Sequence, residues 1–248
     1  KNYATTNGGG GGVYVEFGLV QLEKTDIKKN VSDAEGGGLR AVQADLYIIK
    51  CDFEKNESDK AGGGAMTYQS IGYFDNCSFK KNEGQYGGGV SLEDGGMDLT
   101  RTVFKKNSAR KSGGGAQMNR NGVTTMSNCT FDKNKAKDDG GAIYVRGEST
   151  ADVNNCTIKN NEAENYGGGA STNNGVLNFR SSNVTSNEAS LAGGGIDVND
   201  SVANIVSTTV EKNRALLGGG IASSSSTIGL RNGSVKKNQS SDQGGGLF

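Results

Sequence analysis

Proline, tryptophan and histidine are all absent from this chain of 248 residues. Without histidine, imidazole catalysis and ordinary zinc sites are excluded. No apolar run approaches ~18 residues, so the sequence predicts no membrane span. Basic and acidic residues are equal at 27 each, so no overall charge favours nucleic acid or an anionic membrane. Glycine is abundant at 41 residues, but without proline the composition is neither that of collagen nor that of a Pro/Gly linker.

A glycine triplet recurs every 25–28 residues and marks an internal repeat. We place the first triplet at Gly8-Gly9-Gly10, and Asp139-Gly140-Gly141 takes the place of one member. The other triplets begin at Gly36, Gly62, Gly87, Gly113, Gly167, Gly193, Gly218 and Gly244.

An asparagine stands five or six residues before each later triplet, and an apolar residue stands three positions before the asparagine. Stacked side-chain amides can hydrogen-bond to one another along an axis. The sequence therefore predicts a structural ladder of Asn30, Asn56, Asn82, Asn107, Asn134, Asn161, Asn187, Asn213 and Asn238.

The spacing within one repeat is typical of strands. Cys51 and Phe53 are two residues apart and so share one face of an extended segment. Each repeat carries about three such segments, joined by turns that use glycine or asparagine. A repeat this short buries its apolar face only by stacking on its neighbours.

The predicted fold is all-β. We expect a right-handed parallel β-helix, that is, a solenoid of about nine coils of 25–28 residues. One domain should cover residues 1–248, uncapped at both ends and part of a longer chain or assembly. Self-association end to end is one way in which such ends would be covered.

The run from Phe131 to Asn134, followed by Gly140-Gly141-Ala142-Ile143, resembles the repeat of the chlamydial polymorphic outer-membrane proteins. That family is defined by paired Phe-x-x-Asn and Gly-Gly-Ala-(Ile/Leu/Val) motifs. The resemblance covers all nine coils, although several carry Ile or Val for Phe and most add a third glycine. Family members are surface-displayed β-helices, several of them adhesins, so the resemblance implies an extracellular location.

A lysine precedes the ladder asparagine in most coils, and we expect this column to form a solvated rim. Its members are Lys29, Lys55, Lys81, Lys106, Lys133, Lys212 and Lys237. Like charges stacked at ~4.8 Å repel one another, and we expect glutamates just past the asparagine to relieve this repulsion. These glutamates are Glu57, Glu83, Glu162 and Glu188. The alternative is a stripe that contacts anionic glycans or a cell surface.

Cleavage or epimerisation of polysaccharide needs clustered carboxylates, or a calcium ion or arginine that stabilises an enolate-like charge. The outward acids of this chain are scattered. They are Glu93, Asp94, Asp98, Asp138, Asp139, Asp197 and Asp200. Asp138 and Asp139 are the best pair, but we place them at the glycine position of a turn, with no evident partners. The sequence therefore predicts no catalytic residue, cofactor or metal site. The threonines are dispersed among columns, which argues against an ice-binding face.

Four cysteines share one inward column: Cys51, Cys77, Cys129 and Cys156. Parallel stacking aligns their Cβ vectors rather than converging them, so we expect free buried thiols. Asn-x-Ser/Thr sequons also occur, and those at Asn30, Asn56 and Asn238 should be unmodified because they belong to the ladder. Glycosylation is expected, in a eukaryotic secreted protein, at several of Asn76, Asn128, Asn155, Asn183, Asn199 and Asn232. The alternative is that an Asn/Ser/Thr-rich chain forms sequons by chance, or that the source does not read them.

These features together predict an extracellular structural or adhesive rod, a surface or filament component without catalytic activity of its own. Its expected partners are copies of itself and a cell-surface glycan or protein, with no nucleic acid and no membrane span. The alternative function is a carbohydrate-active β-helix enzyme, a lyase or hydrolase, whose catalytic residues lie outside this stretch. A concave groove with clustered acids would favour the enzyme, whereas even, shallow faces would favour the rod.

Overall fold

The chain winds into a parallel β-solenoid of about nine coils. A computed structural model describes residues 2–5 and 9–248. Throughout this part the strand pairings are parallel, and each joins a residue to its equivalent about one repeat away, as in Phe79 with Phe104. The same residues contain no helix, and so none that is long and apolar enough to cross a membrane. The all-β parallel solenoid predicted from the repeat is confirmed.

Three sheets run along the axis of the solenoid in the described residues. Sheet A holds the short strands that follow the ladder asparagine: Tyr3–Ala4, Val31–Ser32, Glu57–Ser58, Glu83–Gly84, Ser108–Ala109, Lys135–Ala136, Glu162–Ala163, Glu188–Ala189, Arg214–Leu217 and Gln239–Gln243. Sheet C holds the strands that precede this asparagine: Asp26–Lys28, Asp52–Glu54, Ser78–Lys80, Val103–Lys105, Thr130–Asp132, Thr157–Lys159, Asn183–Thr185, Thr209–Glu211 and Ser234–Lys236.

Sheet B follows the glycine triplets and receives two segments from each coil. Its strands are Val13–Glu16, Leu19–Glu23, Leu39–Val42, Asp45–Ile49, Ala65–Asp75, Val90–Thr100, Ala116–Asn119, Val123–Ser127, Ile143–Arg146, Thr150–Asn154, Ala170–Asn173, Val176–Arg180, Ile196–Asn199, Val202–Val206, Ile221–Ser224 and Thr227–Arg231. A left-handed residue such as Gln43 (φ 48°) separates the two segments. In two coils the two segments join into one strand, Ala65–Asp75 and Val90–Thr100. The other coils have four strands in three sheets, where the sequence predicted about three strands.

The register of the glycine triplets differs from the prediction at two places. Val13 pairs with Leu39, so the opening triplet is Gly10-Gly11-Gly12, and Gly8 lies outside the described residues. Ile143 pairs with Ala170, so Gly140-Gly141-Ala142 is the triplet in its coil. Asp139 therefore precedes the triplet instead of replacing its first glycine. The error arose because runs of small residues leave the register of a repeat ambiguous.

Close approach between coils explains why the middle glycine of the triplet recurs. A Cβ atom on Gly114 would overlap the backbone carbonyl oxygens of Lys135 and Gly141 in the next coil. A Cβ atom on Gly96, in the middle of sheet B, would meet nothing within 4 Å. The triplets thus mark the line along which neighbouring coils have no room for side chains.

The interior is filled by columns of like residues, one layer per coil. Phenylalanine rings stack with centroids 4.5–5.0 Å apart and planes within 12° of parallel, and all four rings are fully buried. These are Phe53, Phe79, Phe104 and Phe131. Burial of each ring contributes roughly 1.5–3 kcal/mol, and stacking adds about 0.5–1.5 kcal/mol per pair.

The ladder asparagines lie in one line, and each interior member uses its whole side-chain amide. The Oδ1 atom of Asn56 accepts hydrogen bonds from the backbone N and the Nδ2 of Asn30, both at 3.0 Å. Its Nδ2 donates to Oδ1 of Asn82 at 3.1 Å and to the carbonyl oxygen of Ile27 at 2.7 Å. The same four bonds recur at Asn82, Asn107, Asn134, Asn161, Asn187 and Asn213.

The cysteine column works in a similar way at another corner of the coil. The residue before each cysteine has a positive φ, and the backbone N–H that follows points along the axis. The Sγ atom of Cys156 accepts this bond from the N–H of Cys129 at 3.3 Å, and Ser182 Oγ accepts it from Cys156 at 3.0 Å. All four cysteines are free buried thiols. A thiol here serves the same purpose as the hydroxyl of a serine or threonine, which is why these residue types alternate in the column.

Removal of one interior ladder amide should destabilise the solenoid strongly. In Asn134→Ala, the N–H and Nδ2–H of Asn107 and the carbonyl of Phe104 lose their partners. Each buried unsatisfied group costs about 1–3 kcal/mol, so we expect the free energy of unfolding to fall by roughly 3–6 kcal/mol in urea titrations. Asn183→Ala, at an exposed strand position, is the control. Equal losses in the two variants would contradict this account of the ladder.

Candidate functional site

An axial groove runs where the loop before each glycine triplet folds over the first sheet B segment of its coil. The floor of the groove is the second residue of that segment. The loop buries most of this column: Met66, Ser91, Gln117, Tyr144, Ser171, Asp197 and Ala222. The residue before the triplet forms the loop wall, and the fourth residue of the segment forms the strand wall. The faces of the rod are therefore not all shallow.

The first cavity in the groove has a volume of about 190 Å³ and lies around Tyr86 and Gln117. The guanidinium of Arg146, on the strand wall, lies 5.2 Å from the ring centroid of Tyr86 on the loop wall, and its Nε donates to Asn119 Oδ1 at 3.2 Å. Gln117 is 2% exposed, and its Oε1 has no hydrogen-bond partner among the described residues. This cavity thus offers a buried acceptor beside an arginine and an aromatic ring.

The second cavity is larger, about 330 Å³, and lies further along the same groove. Its loop wall carries Asp139 and Tyr166, its floor carries Ser171 and Asp197, and Asn173 lies on the strand wall. Ser171 Oγ donates to Asp197 Oδ2 at 3.3 Å. The Oδ1 atom of Asp139 is buried and has no partner among the described residues.

Two carboxyl groups in this cavity titrate near neutral pH. Burial raises the pKa of Asp197 to about 7; the Ser171 hydrogen bond opposes the shift and the charge of Asp139 adds to it. Burial, followed by the charge of Asp138, raises the pKa of Asp139 to about 6. Burial and the charge of Asp139 also raise the pKa of Tyr144 to about 12. The site can therefore present protonated or ionised carboxyls, which donate or accept hydrogen bonds respectively.

The prediction that the outward acids are scattered was wrong for Asp139 and Asp197, which line one cavity. The error has two physical causes: the triplet register misplaced Asp139, and the floor column is covered by the loop. The register error would have been avoided by aligning Gly140-Gly141-Ala142 with the glycine triplet of the neighbouring coil. The other acids lie apart: Glu93 pairs with Arg120 at 2.9 Å, and Asp94 accepts from Gln69. No group of three potential metal ligands converges within residues 2–5 and 9–248.

The lysines before the ladder asparagines are exposed, but the expected relief by glutamates is not what the structure shows. Glu83 and Glu57 lie 3.0 and 4.0 Å from Arg110, and Glu162 lies 2.5 Å from Lys135. The glutamates therefore turn towards other cations on sheet A. The reason is geometric, because these side chains leave the strand after the corner and point away from it.

The sequon asparagines fall into two groups by burial. Asn30 and Asn56 are buried in the ladder, and Asn238 is part of it. The candidates for modification are exposed at Asn76, Asn128, Asn155, Asn183 and Asn232. Asn199 is half-buried on the strand wall of the groove, beside buried Ser201 of its own sequon.

One family model matches the chain. Residues 1–155 match the right-handed β-helix region, and the chain belongs to this family. No curated protein and no solved structure matches the chain. Membership of this family defines the fold and does not identify a ligand for the groove.

Stability should depend on pH through Asp197. A folded pKa of about 7 lies above the unfolded value of about 3.9, so the stabilising contribution is present below pH ~4 and lost as pH rises to ~7. Asp197→Asn keeps the shape without the buried charge. We compare the free energy of unfolding of this variant with that of the unmutated chain at each pH. The difference should rise in favour of the variant by about 2–4 kcal/mol from pH 4.5 to pH 8. Urea titrations at both pH values measure this, with the exposed Asp98→Asn as control; an unchanged difference for Asp197→Asn would contradict the assignment.

Glycans, where the chain passes through a glycosylating secretory pathway, should be found only at the exposed sequons. Peptide mass spectrometry after secretion from a eukaryotic host should find modified Asn76, Asn128, Asn155, Asn183 or Asn232, with Asn199 poorly occupied because its sequon is partly covered. The ladder residues should be bare because a glycan there would remove the interior amide bonds. An unmodified intact mass would overturn this prediction.

Proposed function

We propose that this chain is an extracellular adhesive rod, a surface or filament component that holds a glycan in its axial groove without transforming it. The observation that carries this proposal is the second cavity. It is concave, and it combines an aromatic ring, amides and carboxyl groups, which is the combination that binds sugar hydroxyls and ring faces. The continuous ladder supports the structural half of the proposal, because it makes the backbone that presents the groove rigid.

The motif resemblance supports the extracellular location. Phe-x-x-Asn and Gly-Gly-Ala-Ile repeats, here Phe131 to Ile143, resemble those of the chlamydial polymorphic outer-membrane proteins, which are surface-displayed. Surface proteolysis of intact cells of the native source, followed by detection of released peptides, tests the location. Recovery of the protein solely from inside protected cells would contradict it.

Binding should depend on the side chains that face the second cavity. The purified chain is applied to a glycan array, and binding to any retained glycan is measured by calorimetry. Combined Tyr166→Ala and Asn173→Ala should weaken binding at least tenfold, because one removes the ring and the other an amide on the facing wall. Tyr47→Ala, an exposed tyrosine on the second sheet B segment, should change it little. Absence of any retained glycan, or equal losses in both variants, would contradict the proposal.

The concave groove and its two acids meet the criterion given above for an enzyme, which is therefore the second candidate. The rod is proposed first because only Asp139 and Asp197, of the seven outward acids, line the cavity. Asp139 and Asp197 face one cavity and have pKa values of about 6 and 7, so one can be protonated while the other is ionised. Paired carboxyl groups in opposite protonation states are what glycoside hydrolysis requires. Incubation of a retained glycan with the chain, with reducing ends measured over time, decides between the two. Release that is abolished in Asp197→Asn while binding persists would establish the enzyme and refute the non-catalytic rod.

A further inference from the structure

Five consecutive coils carry an exposed lysine at the same corner, one residue before the ladder asparagine. We call this set the lysine row: Lys29, Lys55, Lys81, Lys106 and Lys133. Their φ angles lie between 55° and 58°, so the five backbones are nearly superimposable. Because the strands beside the corner pair in register, the Cα atoms of the five lysines follow one line along the rod at intervals of ~4.8 Å.

Lysine is a poor choice for this backbone conformation. The left-handed region is strained for residues with a Cβ, and asparagine tolerates it best after glycine. The corner before the cysteine column has the same conformation, with φ between 51° and 58° where it uses asparagine. The members of that corner that do so are Asn76, Asn128, Asn155 and Asn232. Lys24, Lys50 and Arg101 share that corner with φ between 48° and 53°, so a basic residue in this conformation is not peculiar to the row. What distinguishes the row is lysine in five consecutive coils, at positions where asparagine would fit.

The like charges of the row are also not neutralised by the protein. None of the five ammonium groups has an ion pair among the described residues. Glu57 and Glu83, two residues past Lys55 and Lys81, turn to Arg110 instead. Lys80 and Lys105, in sheet C, add two more exposed cations beside the middle of the row, and Glu54 and Asp132 flank them in the same column. Only Lys105 of these two has an acidic partner, Asp132, at 3.6 Å.

In the part of the chain that the structure describes, five like charges in successive coils lack an ion pair, which runs against the electrostatic preference and makes the row a candidate for function. We propose that the lysine row binds a linear anionic polysaccharide, sulfated or uronate, which lies along the rod with its anionic groups against successive lysines. Duplex nucleic acid fits less well: it carries a charge every ~1.7 Å along a curved surface, whereas the row is straight, one lysine wide and spaced at ~4.8 Å. This surface is separate from the axial groove, and its test does not depend on the groove.

The test uses two triple variants of the intact chain that remove the same charge. Lys55→Asn, Lys81→Asn and Lys106→Asn together neutralise the row with the residue that suits its backbone, so folding should be retained. The control variant removes three positive charges at the corner before the cysteine column, where the φ angles are 48–53°. It carries Lys24→Asn, Lys50→Asn and Arg101→Asn. Urea unfolding verifies that both variants are folded. Binding is measured to immobilised heparin, to polygalacturonate, to neutral dextran and to duplex DNA.

We expect heparin or polygalacturonate, but not dextran, to bind with an affinity that falls as salt rises. The row variant should lose at least tenfold in affinity and show a shallower salt dependence, and the control variant should lose less than threefold. Comparison of heparin with polygalacturonate distinguishes sulfate from carboxylate as the preferred group. Equal losses in the two variants, no binding to either polyanion, or tighter row-dependent binding to DNA would each overturn the proposal.

Discussion

Each interior ladder asparagine uses both its carbonyl oxygen and its amide nitrogen in hydrogen bonds to neighbouring coils. These bonds fix the register of each coil relative to the next. Asn134, for example, can accept from Asn107 and donate to Asn161 only when the coils are in register. Register then places like side chains over like. The phenylalanine stack, the glycine line and the lysine row are therefore consequences of one repeated amide interaction.

The corners explain why so many residues with a Cβ have positive φ. A left-handed residue turns the chain sharply, and the N–H that follows it points along the axis, where it needs an acceptor. Asn82, Thr102 and Ser149 supply such acceptors at the three corners of their coils. The backbone strain at each corner is offset by the hydrogen bond that the turn makes possible, and the side chain before it is left free for other uses.

The fold could be predicted from the sequence because the columns of like residues are periodic. An error in the register of one triplet does not change that period. Asn30 through Asn238, the phenylalanines and the cysteines could be assigned from spacing alone. The groove could not, because it depends on the register of Asp139 and on the loop that covers Asp197. The raised pKa values depend on this burial and on the proximity of Asp139. Spacing also could not show that Glu83 turns towards Arg110.

Because each interior coil offers its neighbours the same hydrogen-bonding edge, the interface between coils does not depend on their position in the stack. A coil can be lost or duplicated as a whole, between one ladder asparagine and the next, without a new interface being needed. The length of the solenoid is then set by the number of coils. A gene that encodes such repeats can change the length of the solenoid by unequal recombination, while every coil keeps its shape.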